Sequence, residues 1–266
     1  IRVLLFPRGS RSATRVWGQL DFRANGPNRV KPGSINAPFK MVIDYSQAPY
    51  ALYVSDTNNH RVLGWRDSVR FRRGDPADVV IGQPDFETTL PNIDSRGSAN
   101  PSATSLSSPR GIAVDADGNL YVADSGNNRV LRYPRPVSQF GRITPDVGLG
   151  QTNFTSSVSA APSGLAIDPE GNLFVADTGN NRVLQFATGA GTNAAAVRVF
   201  GQPGFNTRAA SNVASAQTLT SPQGIFVDAA FSLYVADTGA NRVVIFPNTR
   251  DAGPAGAAAA IVLGQN

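Results

Sequence analysis

The sequence predicts an all-β fold of four-stranded antiparallel sheets fanned around a shared axis, and three observations carry that prediction. The cassette Pro109–Tyr133 returns with unchanged length at Pro162–Phe186 and Pro222–Phe246, and a fourth copy, Pro38–Trp65, has three extra residues between Asp44 and Asp56. A second signature, an apolar run ending in Gly-Gln with Phe three positions later, recurs at Gly18-Gln19-Phe22, Gly82-Gln83-Phe86, Gly150-Gln151-Phe154 and Gly201-Gln202-Phe205, and begins again at Gly264-Gln265. Within each cassette, short β-branched and aromatic runs alternate with hairpin and turn residues, which is strand chemistry and not helix chemistry. Self-similarity at a fixed period is the mark of a repeat architecture. A four-stranded sheet cannot bury both faces alone, so its copies stack radially, as blades of a β-propeller.

Taken in order, Ile1–Phe6 and Arg15–Gly18 read as the third and fourth strands, c and d, of a half blade. Four complete blades follow. In each, a run such as Gly-Ile-Ala-Val-Asp (111–115) is strand a, and Asp-Ala-Asp-Gly (115–118) or Asp-Pro-Glu-Gly (168–171) supplies the a–b hairpin turn. Asn-Leu-Tyr-Val-Ala-Asp (119–124) is strand b, and the Ser/Thr-Gly-Asn-Asn run after it is a further turn, because Gly and Asn tolerate positive φ. Arg-Val-Leu-x-Tyr/Phe is strand c, and the apolar run before Gly-Gln is strand d. The expected boundaries are a half blade at 1–20 and blades at about 21–84, 85–152, 153–203 and 204–266, all in one domain spanning 1–266. The chain opens halfway through a blade and its only Met is Met41. The expectation is therefore an interior portion of a longer polypeptide, belonging to a ring of roughly six blades, with missing blades or a partner chain capping the open edges.

Composition narrows the chemistry. There is no Cys and a single His, His60, among 266 residues. That excludes thiolate chemistry, disulfides and multi-histidine metal sites. No apolar stretch approaches the roughly 18–20 residues that span a bilayer. The net charge of +5 lies in the first half, partly between Arg61 and Arg73, where Asp67 interrupts the arginines. A nucleic-acid footprint is denser and interleaved with stacking aromatics. Nucleic acid is thus not the expected partner.

The cassette, above all Asn119–Asp124 followed by Asn127-Asn128-Arg129-Val130, resembles the NHL repeat, in the bacterial type with long inter-strand loops. The resemblance covers nearly the whole chain outside those loops. It implies strand a innermost, strand d outermost, and ligands on the face carrying the b–c and d–a loops. It implies little about activity, since propellers of this family serve as protein-binding, RNA-binding, sensor and occasionally enzyme domains.

Residues present once per blade are expected to serve the blade. Asp56, Asp124, Asp177 and Asp237 close strand b, and Arg61, Arg129, Arg182 and Arg242 open strand c five residues later. The expectation is a turn-bracing acid–base pair with Asx-type backbone bonds. A ring of carboxylates holding a cation is disfavoured, because each Arg would neutralise its Asp. Function is sought where the repeat breaks: Lys40 in place of the Gly before strand a, His60 in place of the second turn Asn, Phe226 in place of Ala, and Phe231 in place of the turn Gly. The d–a connections, 20, 27, 12 and 21 residues from Gly to Pro, are the other asymmetry. Asp85 and Arg96, in the Asp85–Ser108 loop, join the candidate binding residues. No catalytic residue, metal site or cofactor is assigned.

Long variable loops on a rigid scaffold are the usual layout of a binding surface. The expected function is a non-enzymatic propeller docking a protein or carbohydrate through the loop face, in an extracellular, cell-surface or periplasmic setting. The alternatives are a lyase or lactonase-like enzyme with a metal in the central channel, or an RNA-binding propeller. Metal catalysis needs converging polar ligands on inner strands. The a strands offer Met41-Val42-Ile43, Ile112-Ala113-Val114, Leu165-Ala166-Ile167 and Ile225-Phe226-Val227 instead.

Overall fold

The structure, a computed structural model, describes residues 2–19, 21, 23, 31–72, 74–93, 97, 99–150, 161–210 and 214–264. Eighteen strands are found among them, in four four-stranded antiparallel sheets and one strand pair. By contact density the chain divides into two units, residues 1–120 with 132–146, and residues 121–131 with 147–266.

In the first unit, β1 (Val3–Leu5) pairs antiparallel with β2 (Arg15–Trp17), Leu4 opposite Val16. This is the half blade. The first complete sheet is a meander of β3 (Pro38–Asp44), β4 (Ala51–Asp56), β5 (Arg61–Trp65) and β6 (Val79–Ile81). Side chains of a strand alternate between faces, and the register Val54↔Leu63, Leu63↔Val80 lines up apolar residues. Leu52, Val54, Leu63 and Trp65 are buried with Trp17, Ile35 and Phe71. The Phe71 ring stacks on Trp17 at 4.9 Å and meets Trp65 edge-on at 6.0 Å.

The second sheet runs β7 (Pro109–Val114), β8 (Leu120–Asp124), β9 (Arg129–Tyr133), β10 (Val147–Leu149), and the division between units passes through it. In the second unit, β11 (Pro162–Ile167), β12 (Leu173–Asp177), β13 (Arg182–Phe186) and β14 (Arg198–Phe200) form the third sheet. The fourth consists of β15 (Pro222–Val227), β16 (Leu233–Asp237), β17 (Arg242–Phe246) and β18 (Ile261–Leu263). Phe174, Phe200 and Phe246 are buried in one cluster, with Phe200 and Phe246 edge-on at 5.4 Å. A Cβ on Gly164 of β11 would lie 2.2 Å from the Gln223 carbonyl of β15, so these strands approach at a distance that only Gly allows. Strands a carry a register shift two residues after their opening Pro, at Pro38/Met41, Pro162/Leu165 and Pro222/Ile225.

The turn after strand b is more regular than a simple hairpin turn. It is one turn of 3-10 helix, at Thr57–Asn59, Ser125–Asn127, Thr178–Asn180 and Thr238–Ala240. Each ends on a left-handed residue: His60, Asn128, Asn181 or Asn241, with φ of 53°, 56°, 55° and 53°. Asn adopts that region more readily than other residues carrying a Cβ, which accounts for its recurrence.

Candidate functional site

The four Asp–Arg pairs form, with Nε–Oδ2 distances of 2.7, 2.7, 2.6 and 2.8 Å for Asp56–Arg61, Asp124–Arg129, Asp177–Arg182 and Asp237–Arg242. They do more than brace a turn. Asp56 Oδ2 also accepts the Asn59 amide at 2.8 Å, and its Oδ1 accepts the backbone N–H of Asn36 at 2.5 Å. Asp237 Oδ1 likewise accepts the N–H of Thr220 at 2.5 Å. The donors to these carboxylates are therefore the side chains of the turn and the backbone of the preceding d–a loop. The expected Asx-type bonds are absent from this turn, whose Asp makes no side-chain cap bond; the Asp of the a–b turn makes them instead. Burial pushes the carboxyls of Asp56 and Asp177 up, against the pull of the guanidinium and the Asn amide beside each.

The guanidiniums of Arg61, Arg182 and Arg242 also reach segments outside the turn. Arg61 gives Nε to Asp56, Nη1 to the Phe86 carbonyl and Nη2 to the Ser34 carbonyl at 2.9 Å. Arg182 Nη1 reaches the Phe205 carbonyl, and Arg242 Nη2 reaches Thr218 and Ser215 at 2.7 and 2.9 Å. The sheet thus fastens the d–a loops at their roots. Gln83 adds to this, its Nε2 donating to the carbonyls of His60 and Leu90 at 3.0 Å each, as Gln202 does to Asn181 and Ala209 at 3.1 and 3.0 Å. In the Gly-Gln-x-x-Phe signature, then, Gln clips the loop and Phe offers its carbonyl. Gly is needed for its positive φ, 92° at Gly82 and 81° at Gly201, and because a Cβ there would lie 2.5 Å from Leu106 or 2.4 Å from Leu219.

Leu106, Leu219 and Ile35 belong to neither repeat signature, yet all three are buried loop residues. Each stands three positions before the Pro that opens strand a, and that spacing is the signal that could have found them.

The irregular positions are each engaged by their own neighbours. Lys40 lies inside β3, at the register shift, not before the strand. The Ser55 hydroxyl accepts its N–H at 2.9 Å and donates to its carbonyl at 3.0 Å, and burial lowers the amine. His60 takes the Asn role: its Nδ1 accepts the Ser108 N–H at 2.9 Å, as Asn128 Oδ1 accepts that of Ala161 and Asn181 Oδ1 that of Ser221, both at 2.9 Å. Phe226 of β15 is 62% exposed and packs at 5.9 Å on Tyr234. Phe231, at φ 60°, is covered by the Arg250 guanidinium at 5.3 Å. Asp85 accepts the N–H groups of Thr88 and Glu87 at 2.7 and 2.8 Å, which hold its carboxyl below the usual range. Arg96 lies outside the described residues.

Among the described residues no group of three or more His, Asp or Glu is placed to hold a metal. No helix there is long and apolar enough to cross a membrane.

Four-stranded meanders, fastened to their connecting loops by a buried Asp–Arg pair, define the chain as a β-propeller. The chain carries NHL repeats: the NHL repeat family matches residues 106–133 and 160–186. Chicken (Gallus gallus) Teneurin-1 is 26% identical over 232 residues, covering 81% of this chain and 8% of Teneurin-1. The chain therefore spans under a tenth of the length of that curated relative. Among solved structures, the nidogen/laminin complex superposes with a TM-score of 0.50 at 15% identity, over 89% of this chain and 66% of the other. A candidate 6-phosphogluconolactonase from Bacteroides uniformis gives 0.50 at 13%, over 83% and 56%. At such identities these likenesses show the fold alone, and they include both a binding propeller and an enzyme-like one.

Proposed function

We propose that this chain is a non-enzymatic binding propeller that docks a protein or glycan through the face carrying its b–c and d–a loops, outside the cell or in the periplasm. One observation carries the reading. The 201–222 connection is fastened near both roots, by Gln202 and Arg242, and the 82–109 connection by Gln83 and Arg61 near its first root and His60 at its second, while the segments between present exposed side chains: Leu90, for instance, is 60% exposed, and 206–210 are exposed throughout. Fixed roots reduce the entropy lost when a loop surface is ordered against a partner.

The polar groups that repeat once per blade are committed to one another, which leaves them ill suited to a shared catalytic centre. The single His lends support, since its Nδ1 is engaged by Ser108. Nidogen, whose propeller was solved with laminin, is an example of the same fold used for protein docking.

The test is binding of the purified chain to arrays of extracellular protein domains and glycans, with a hit confirmed by titration in solution. Leu90→Ser combined with Glu87→Ala should lower that affinity at least about tenfold with the melting temperature unchanged. Binding that survives this change, or turnover of a lactone by the purified chain, would overturn the proposal.

A further inference from the structure

At the opposite end of the first sheet from those loops, the inserted a–b turn encloses a pocket of about 160 Å3, lined by Asp44, Ser46, Gln47, Arg66, Arg135 and Ser138 among others. It is smaller than the roughly 300 Å3 at which drug-sized sites begin, so its scale is that of a small polar ligand.

Two side-chain facts mark it. In the other three complete sheets the a–b Asp is closed on both oxygens. Oδ1 accepts backbone N–H groups, and Oδ2 accepts Asn119 Nδ2 at 2.9 Å for Asp115, Asn172 Nδ2 at 2.8 Å for Asp168, and the Tyr234 hydroxyl at 3.0 Å for Asp228. In the first sheet Ala51 stands opposite Asp44, where Asn119 and Asn172 stand in the second and third sheets, and it carries no closing group. Asp44, only 4% exposed, accepts the Ser46 N–H on Oδ1 at 2.9 Å, and among the described residues its Oδ2 has no hydrogen-bond donor. Asp44 lines the pocket, so this oxygen is open to a donor that enters it.

The second fact concerns the guanidiniums. Arg135 is held at φ 38° with Nε on the Asp117 carbonyl at 2.7 Å, and neither of its Nη atoms is bonded among the described residues. Arg66 is fixed in turn by Val137 and Gln139 carbonyls at 2.8 and 3.1 Å, its Nη1 lying 4.0 Å from Asp78. A fork that is already oriented suits a planar carboxylate, which it can bind through two parallel bonds.

We infer that this pocket binds a small hydroxylated monocarboxylate, a sugar acid, with the carboxylate on Arg135 and Arg66 and a ligand hydroxyl donating to Asp44 Oδ2. Asp78 already lies against Arg66, so the guanidinium with no carboxylate of its own among the described residues is that of Arg135, which one ligand carboxylate matches. A dianion such as phosphate would set a second negative charge near Asp44, which disfavours it. A neutral sugar leaves the fork unmatched. The site is independent of the loop face, so either proposal can fail alone.

Calorimetric titration of the whole chain with glucuronate, galacturonate and gluconate, beside glucose, acetate and inorganic phosphate, tests the site. At least one sugar acid should bind saturably, and at least about tenfold tighter than glucose, acetate or phosphate. Arg135→Gln changes an exposed side chain and should weaken that binding about tenfold or more at an unchanged melting temperature. Asp44→Asn keeps the acceptor for Ser46 but presents an amide to the ligand hydroxyl, and should weaken binding of the sugar acid without affecting acetate. No saturable sugar-acid binding, equal binding of acetate or phosphate, or full affinity in Arg135→Gln would overturn the inference.

Discussion

The imidazole Nδ1 of His60 accepts the backbone N–H of Ser108 at 2.9 Å, which puts a histidine in the place that asparagine fills in the two following sheets. The ring acts as an acceptor, so its proton belongs on Nε2. His60→Asn should retain the bond and the melting temperature. His60→Ala should cost about 1 kcal/mol, the typical worth of one hydrogen bond, read from chemical denaturation.

The same relationship sets a pH dependence. Burial lowers the His60 imidazole from its ordinary 6.5. Above 6.5 the ring is neutral in folded and unfolded chains alike and its contribution is fully present. As the pH falls through 6.5 the unfolded chain takes up the proton first, so stability drops, and it levels off once the pH is below the folded value. The difference in unfolding free energy between wild type and His60→Asn should grow between pH 7 and about pH 5. A constant difference over that range would sink this account.

Asp56 and Arg61 are both fully buried, whereas the Arg182 side chain of the Asp177 pair is 16% exposed. Asp56→Ala should therefore destabilise by about 3–5 kcal/mol, and Asp177→Ala by less. Arg61→Lys should also fail to restore stability, since three nitrogens of Arg61 serve three separate acceptors and a point charge cannot. Denaturant midpoints at constant m value would check both comparisons.

Gly82 and Gly150 share a positive φ, 92° and 85°, but differ in surroundings. A Cβ on Gly82 meets Leu106 at 2.5 Å, while on Gly150 the nearest atom is the Asn128 carbonyl oxygen at 3.9 Å. Gly150→Ala should cost about 1 kcal/mol, from backbone conformation alone. Gly82→Ala should cost clearly more, because Leu106 must also move. Equal losses in thermal unfolding would refute the packing role assigned to Gly82.

Gln83→Ala removes the clip between the Leu90 carbonyl and the left-handed turn at His60. Amide exchange in the loop around 84–92 should accelerate, while exchange in β4 and β5 should stay slow, as expected for a local opening.

Strand order and blade content were readable because the cassette repeats, and because alternating apolar residues with turn residues between them leave few other folds. The Asp–Arg spacing announced a pair across a turn. What one cassette cannot display is a bond to residues far along the chain: Arg61 to Phe86, Asp56 to Asn36, His60 to Ser108. Those depend on how the variable loops return to the sheet, and the loops differ in length and wording from one period to the next. Lys40, His60 and Phe231, prominent as breaks in the pattern, are each engaged by a separate partner. The open oxygen of Asp44, in contrast, follows from Ala51 standing where other cassettes have Asn, a replacement that the insertion just before it masks in the sequence.

Leu106 and Leu219 anchor the end of a connection beneath a glycine, next to a proline that restarts the sheet. Such an arrangement separates the hinge points from the span between them. New sequence can be spliced into the middle of a connection without re-registering any strand, so a library of grafted hypervariable segments could be displayed on this framework with little effect on its cooperativity.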